Sequence, residues 1–167
     1  LLEEADMAQD DLVIDPWGSA QSTDYDRIID QFGLTSMEHV DLVSPSKLHR
    51  RGIVFAHRDV DHILEAQRTG EAFGVLTGLM PSGQMHLGHS MVVEQVKWFQ
   101  QQGGDVTIAV ADLESQATRG VSLAKGRSVA LEEYIAHYAA LGLDPEKTNV
   151  YFQSTRPVVQ RLGSNSA

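Results

Sequence analysis

Hydrophobic positions in the second half of the chain follow two alternating patterns, short apolar runs and longer stretches with helical spacing. Short apolar runs bounded by turn residues are typical of strands, and apolar residues three and four apart are typical of helices. The pattern predicts strands at 74–77, 106–111 and 149–153, separated by helices at 88–102 and 123–141. Strands separated by helices favour right-handed crossovers and a parallel sheet that binds ligands at the carboxyl ends of its strands. Thr77, Gly78 and Asp112 lie at that predicted edge.

Both predicted helices have recognisable stripes and ends. In the first, Val92, Val96 and Phe99 form one stripe with Met91 and Trp98 beside it, and Gly103-Gly104 ends it. In the second, Ser122 is a suitable cap, and Gly142 followed by Asp144-Pro145 ends it. The run at 106–111 is continuously apolar, as expected of a buried parallel strand.

The first 72 residues predict a mainly helical segment with a hairpin arm. Residues 1–22 are polar and acidic and are expected to be mobile. Helices are predicted from Asp24 with Gly33 as the stop, from Thr35 or Ser36 onward, and from a cap at Asp59 to Gly70. Between them, Ser44-Pro45-Ser46 breaks the chain and Gly52–Ala56 predicts a strand or hairpin arm. We therefore expect an N-terminal helical and hairpin segment at 1–72 and a parallel α/β domain at 73–167.

Composition changes this picture in one respect, which is charge. The chain has 167 residues, enough for one core, and a formal net charge of −10. Its basic residues are nine Arg and four Lys, and 13 of its 23 acids are Asp. Such a surface favours adaptation to concentrated salt, where repulsion is screened, over an ordinary acidic cytosolic protein. The chain has no Cys, no apolar run long enough for a membrane span, and an acidic N-terminus unlike a signal peptide, so a cytoplasmic protein is expected.

Candidate chemistry is concentrated at 75–89, where a short strand, a glycine-punctuated turn and two histidines open a helix. A helix N-terminus offers unpaired N–H groups and a positive dipole end, which attract phosphate. His86 and His89 are three residues apart and share one helical face. Two surface histidines or half of a zinc site are the simpler interpretations, but the chain offers no Cys and no fitting ligand spacing. The segment is neither a Walker loop nor a dinucleotide fingerprint.

These residues carry a resemblance. His86-Leu87-Gly88-His89, with Thr77-Gly78 and Pro81-Ser82-Gly83 before it, resembles the first signature of class I aminoacyl-tRNA synthetases, in its tryptophanyl and tyrosyl branch. Upstream, Asp15-Pro16-Trp17, Asp24-Tyr25-Asp26, Phe32-Gly33 and the segment 50–59 resemble, in order, parts of archaeal and eukaryotic tryptophanyl-tRNA synthetases. The resemblance extends from about residue 15 to the end. It implies an α/β fold, the first half of a Rossmann-like parallel sheet preceded by a mainly helical segment.

The resemblance also implies an activity and a set of site residues. The activity is ATP-dependent activation of tryptophan to its adenylate and transfer to tRNA-Trp, with Mg²⁺ accompanying ATP, no protein-bound metal, and a homodimeric full-length parent. His86 and His89 are the expected catalytic residues. The expected ATP-binding residues are Thr77, Gly78, Pro81, Ser82, Gly83 and Gly88. The expected tryptophan-binding positions are Leu76, Ala109 and Glu114.

This chain departs from the eukaryotic pattern at several of these positions. Leu79-Met80 stands where those relatives have Arg-Gly, which predicts an apolar wall near ATP. Leu76 and Ala109 stand where they have Tyr and Gln around the indole. The Lys-Met-Ser-Lys-Ser loop and the anticodon-binding domain are absent from the sequence, so we expect an incomplete chain with weak ATP binding, no tryptophan activation, and no stable monomer in low salt. Two alternatives stay open, a small nucleotidyltransferase with a similar histidine signature and a non-catalytic truncated nucleotide-binding domain.

Overall fold

Three parallel strands, Gly74–Leu79, Asp105–Val110 and Thr148–Phe152, form the larger sheet in that order. The chain is described here by a computed structural model that covers residues 25–164. The helices are α1 Tyr25–Phe32, α2 Lys47–Arg50, α3 Asp61–Thr69, α4 Leu87–Gln101, α5 Asp112–Arg119, α6 Leu123–Val129, α7 Ala136–Ala140 and α8 Pro157–Ser164. The strands are β1 Thr35–Ser36, β2 Ala56–His57, β3 Gly74–Leu79, β4 Asp105–Val110 and β5 Thr148–Phe152. The prediction for residues 1–22 lies outside the described residues.

The predicted parallel α/β arrangement is confirmed. Gly74 of β3 pairs with Asp105 of β4, and Val106 of β4 pairs with Thr148 of β5. All three predicted strands form, each displaced or extended by one or two residues. Ser122 caps α6 by accepting a hydrogen bond from the Lys125 N–H at 3.3 Å.

The core lies on one face of this sheet. Its buried residues are Leu79, Val93, Val96, Val106, Ile108, Val110, Ala130, Tyr134, Tyr138 and Leu143. Side chains alternate along β4, so Val106, Ile108 and Val110 are buried and the residues between them are not. The strand predicted at 106–111 forms, and among the described residues its core-facing side chains are buried whereas Thr107 and Ala109 are half-buried.

The predicted stripe of α4 is also displaced. Val93, Val96, Trp98 and Gln100 are buried, whereas Val92 is 43% exposed and Met91 is 39% exposed. One of the buried residues is polar. The Gln100 amide accepts from the Asp144 N–H at 2.7 Å and donates to Thr148 Oγ1 at 2.9 Å, so its burial leaves no unpaired polar group. Hydrophobic periodicity does not detect such a position.

The described residues form two compact units, one containing 25–41 with 54–58 and the other 42–53 with 59–164. In the first unit, β1 and β2 form an antiparallel pair, and the Tyr25 and Phe55 rings have centroids 4.5 Å apart. The helix predicted from Thr35 or Ser36 is wrong, because these residues form β1 and continue into a 3₁₀ turn at Met37–His39. Their conformation depends on pairing with a strand twenty residues later in the chain, which local propensity does not report.

In the second unit, α2 begins at a Ser46 cap, and the Trp98 indole N–H donates to the Ser44 carbonyl at 2.8 Å. The predicted cap at Asp59 is wrong. Asp59 has a φ of 57°, and α3 begins two residues later after Val60, without a side-chain cap. Its predicted end at Gly70 is confirmed, with a φ of 73°. In the part of the chain that the structure covers, no helix has the length and apolar character of a membrane span.

Candidate functional site

The two signature histidines form the start of α4. His86 is the cap residue, and its Nδ1 accepts from the Gly88 N–H at 3.2 Å. His89 completes a reciprocal pair, because its Nδ1 accepts from the His86 N–H at 3.2 Å. The two ring centroids are 3.9 Å apart. The histidines thus satisfy helix N–H groups that a serine or aspartate usually satisfies.

This hydrogen bonding determines what the rings offer to a ligand. Both Nδ1 atoms are acceptors, which assigns the remaining ring proton to Nε2. Burial lowers the pKa of His89 below the usual 6.5, and the neighbouring His86 lowers it further. His89 is therefore a neutral N–H donor at pH 7, beside a helix N-terminus, and an arriving anion would favour its protonation.

The His86 ring leaves little room for a side chain at position 88. A Cβ on Gly88 would lie 3.1 Å from both Cε1 and Nδ1 of His86, closer than ordinary contact. Gly88 is exposed, so its surface also stays open to a flat ligand group.

Helix α5 forms a buried hydrogen bond with the turn between β3 and α4. Pro81 is buried, and its carbonyl accepts from the fully buried Ser115 hydroxyl at 3.1 Å. The Ser82 N–H donates to the Met80 carbonyl at 2.8 Å, which tightens the turn. Ser82 and Gly83 are exposed at its tip. Leu79 is 5% exposed and belongs to the core, so the expectation that it forms an apolar wall is wrong.

Residues expected around the ligands lie on two faces of the sheet. Gly78 pairs with Ala109, and Leu76 pairs with Thr107, so Leu76, Gly78 and Ala109 share the face opposite the core. Leu76 is 72% exposed there. Thr77 alternates to the other face and is half-buried. The structure thus brings Leu76 and Ala109 together and separates them from Thr77.

Glu114 lies in the first turn of α5, a helix that the sequence analysis did not predict. Its side chain is exposed. The helix follows β4 without a side-chain cap, since the residue before it is Ala111. Its acidic first turn, the terminal Arg119 and a left-handed Gly120 with a φ of 66° were signals that could have found it.

Asp112 links the segments that follow β4 and β5 by hydrogen bonds. It is 1% exposed and accepts from the Ser154 N–H at 3.0 Å and from the Ser154 hydroxyl at 2.5 Å.

Sequence reasoning placed Asp112 at the carboxyl edge of the sheet without a role, and it missed Ser115 and Tyr134. The Tyr134 ring lies edge-on to His89, with centroids 5.2 Å apart. Across residues 25–164, no group of three or more His, Asp or Glu side chains is arranged to hold a metal ion.

Comparisons with known proteins identify the family of the chain. Residues 68–163 match the family described as tRNA synthetases class I (W and Y), and the chain belongs to this family. It is 46% identical over 149 residues to the tryptophan–tRNA ligase of Aeropyrum pernix, covering 86% of this chain and 40% of that one. It is 42% identical over 155 residues to tryptophan–tRNA ligase 1 of Halobacterium salinarum, covering 92% and 30%.

A solved structure gives the same family relationship. The crystal structure of tryptophanyl-tRNA synthetase from Aeropyrum pernix aligns with a TM-score of 0.78 at 44% identity, covering 92% of this chain and 45% of that chain. The chain thus spans less than half the length of the relatives it matches. The class I synthetase fold, with its Rossmann-like sheet, is confirmed for the described residues, and the small nucleotidyltransferase alternative is set aside.

Proposed function

We propose that this chain supplies the ATP-binding half of a tryptophan–tRNA ligase. The observation that carries the proposal is the reciprocal His86–His89 pair at the N-terminus of α4, in a chain whose relatives are tryptophan–tRNA ligases. ATP would lie over this helix start, with Gly78, Ser82, Gly83 and Gly88 against it. Thr77 and Pro81 would support the site from the strand end and the base of the turn.

The reaction requires charge stabilisation more than covalent catalysis. The tryptophan carboxylate would attack the α-phosphorus of ATP, forming the mixed anhydride and releasing pyrophosphate. The Nε2 hydrogens of His86 and His89 would donate to phosphate oxygens whose charge grows in the transition state. Mg²⁺ would arrive with the triphosphate and take most of its ligands from phosphate and water.

Tryptophan would bind on the exposed sheet face that Leu76 and Ala109 share. Their small and aliphatic side chains would contact the indole, and Glu114 on α5 would attract the ammonium group. The indole N–H would need a partner from elsewhere, since neither Leu76 nor Ala109 accepts a hydrogen bond from its side chain.

The remaining assignments belong to the same proposal. Residues 73–167 would form the nucleotide-binding part, and residues 1–72 the helical and hairpin segment before it. The full-length protein would act in the cytoplasm as a homodimer on tRNA-Trp. Its acidic surface would suit concentrated salt.

The decisive experiment is a chimera in which residues 15–163 replace the matching segment of the Aeropyrum pernix enzyme. We expect ATP–pyrophosphate exchange that depends on tryptophan and on no other amino acid. His89→Ala in the chimera should slow exchange by the factor that corresponds to a loss of roughly 2–4 kcal/mol of transition-state stabilisation. Tryptophan affinity should change little. A folded chimera without exchange, or with exchange driven by another amino acid, would refute the proposal.

A further inference from the structure

Tyr134 is the one buried tyrosine of the described residues that contacts the signature histidines. It is 1% exposed, and its ring meets the His89 ring edge-on, with an interplanar angle of 90° and centroids 5.2 Å apart. The Gly83 backbone, at the tip of the turn before α4, lies close enough to the Tyr134 hydroxyl to lower its pKa against the larger effect of burial. A single side chain therefore lies near both ends of the segment 83–89.

The helix that carries Tyr134 is irregular at this point. Residues Ala130–Ile135 form a π-helical segment between α6 and α7. Four residues span slightly more than one full turn of an α-helix and slightly less than one full turn of a π-helix. A helical run that contains both types therefore keeps side chains four residues apart on the same side. Ala130, Tyr134 and Tyr138 are accordingly all buried against the sheet. Interruptions of this kind are uncommon and occur frequently at functional sites.

We propose that Tyr134 is a positioning residue for the nucleotide site, which fixes the ring of His89 and the Gly83 N–H before any ligand arrives. The inference rests on the proposed function, because that function makes the segment 83–89 an ATP site. In this assignment the hydroxyl positions Gly83 and the ring, which contacts His89, positions the imidazole. Removing the hydroxyl and removing the ring are therefore separate perturbations with separate readouts.

The electrostatics agree with this assignment. Burial raises the pKa of Tyr134, and the neighbouring Glu133 raises it further, so the phenol stays protonated. Burial lowers the pKa of His89, whose ring contacts that of Tyr134. The titratable groups around His89 are His86 on its own helix and Tyr134 opposite, with Glu133 beside the tyrosine. A ring that excludes water from His89 keeps it a neutral donor.

Tyr138 provides a matched control. It is 5% exposed, lies one turn further along the same helical run, and lines an apolar cavity of about 80 Å³ with Ile108, Leu143 and Val150. Tyr138→Phe removes a buried hydroxyl from the same layer without touching the segment 83–89. Any effect of Tyr134→Phe that exceeds that of Tyr138→Phe is then specific to the site.

The test uses NMR on the 167-residue chain, following amide exchange at Gly83 and the titration of His89. Tyr134→Phe should speed exchange at Gly83 roughly tenfold relative to Tyr138→Phe, as expected for loss of one hydrogen bond. Tyr134→Leu should move the His89 pKa upward toward its usual value, because water reaches the ring. ATP affinity should fall in both Tyr134 variants and stay unchanged in Tyr138→Phe.

Each outcome decides one question. Equal Gly83 exchange in Tyr134→Phe and Tyr138→Phe overturns the inference, as does an unmoved His89 pKa in a folded Tyr134→Leu. If Tyr134→Leu does not fold, Tyr134→Phe decides alone. Absence of ATP binding by the unmodified chain counts against the proposed function, while the Gly83 and His89 readouts still decide the role of Tyr134.

Discussion

At the scale of single residues, the signature segment serves two purposes at once. The histidine pair that we propose as a phosphate site also caps α4, because each Nδ1 accepts a backbone N–H. Capping consumes one nitrogen of each ring and assigns the proton to the other. The local folding requirement therefore sets the tautomer that the chemistry requires.

A substitution at Gly88 should weaken ATP binding without lowering the free energy of unfolding. Gly88→Ala places a methyl group 3.1 Å from the His86 ring and should displace that ring, lowering ATP affinity roughly tenfold. Alanine is the better helix former, by about 1 kcal/mol in a helix interior, so unfolding stability should not decrease. Calorimetric binding and urea denaturation on the same variant measure the two effects. Unaltered ATP affinity would assign Gly88 to helix packing alone.

The histidines should also make stability depend on pH. Burial lowers the pKa values of His49 and His89 below the usual 6.5, so the unfolded chain takes up protons before the folded one does. The stabilisation is complete above about pH 6.5 and is lost as pH falls toward the folded pKa values. Urea midpoints should therefore decrease from about pH 7.5 to 5.5, above the range where carboxylates dominate.

The histidine variants test this assignment. The double variant His49→Gln/His89→Gln should flatten the dependence in that window, and His62→Gln, an exposed histidine on α3, should keep it. An unchanged slope in the double variant would assign the dependence to other groups.

At the scale of elements, the sequence predicts what is local and misses what is distant. The parallel strands, the long helices and the helix ends at Gly33, Gly70 and Gly142 follow from periodicity and turn chemistry. The β1–β2 pair and buried Gln100 depend on partners far along the chain. Helix α5 is short and lacks a side-chain cap, and its buried hydrogen bond from Ser115 to Pro81 joins residues 34 positions apart.

The same difference appears within the candidate site. His86, His89 and the glycines were predictable because they adjoin in sequence and their residue types carry the chemistry. Tyr134 lies within the helix predicted at 123–141 but was not identified as a site residue, since its contact with His89 arises from tertiary packing. The π-helical segment that places it has no signature in the hydrophobic pattern.

One element junction carries a steric prediction. A Cβ on Gly104 would lie 2.6 Å from Phe73 Cε2 and 2.9 Å from Val75 Cγ2, at the point where α4 turns into β4. Gly104→Ala should destabilise the chain by about 1–3 kcal/mol through overpacking. Gly74→Ala is the control, because its nearest neighbour is 4.0 Å away, and it should be neutral or slightly stabilising. Urea denaturation of both variants measures the contrast, and equal midpoints would show that Phe73 yields without cost.

At the scale of the whole molecule, net charge sets the response to salt. A formal charge of −10 on 167 residues produces self-repulsion that the Debye length governs, about 10 Å at 0.1 M and 3 Å at 1 M. Raising KCl across that range should increase the urea midpoint. The increase should reflect screening of charge and not stronger apolar burial, which sulfate would enhance for any protein.

A charge-reversal variant distinguishes these causes. Asp41, Glu71 and Glu146 are exposed, and replacing each with Lys exchanges a negative for a positive charge, which brings the formal net charge from −10 to −4. The triple variant should be more stable than the original chain in 0.1 M KCl and should gain less on transfer to 1 M, while sulfate should stabilise both chains equally. Sedimentation measured across the same KCl concentrations should show the least association of the original chain at the concentration that gives its highest urea midpoint. If the two chains gain equally from KCl, screening of net charge is not the cause, and the proposal of a salt-adapted surface fails with it.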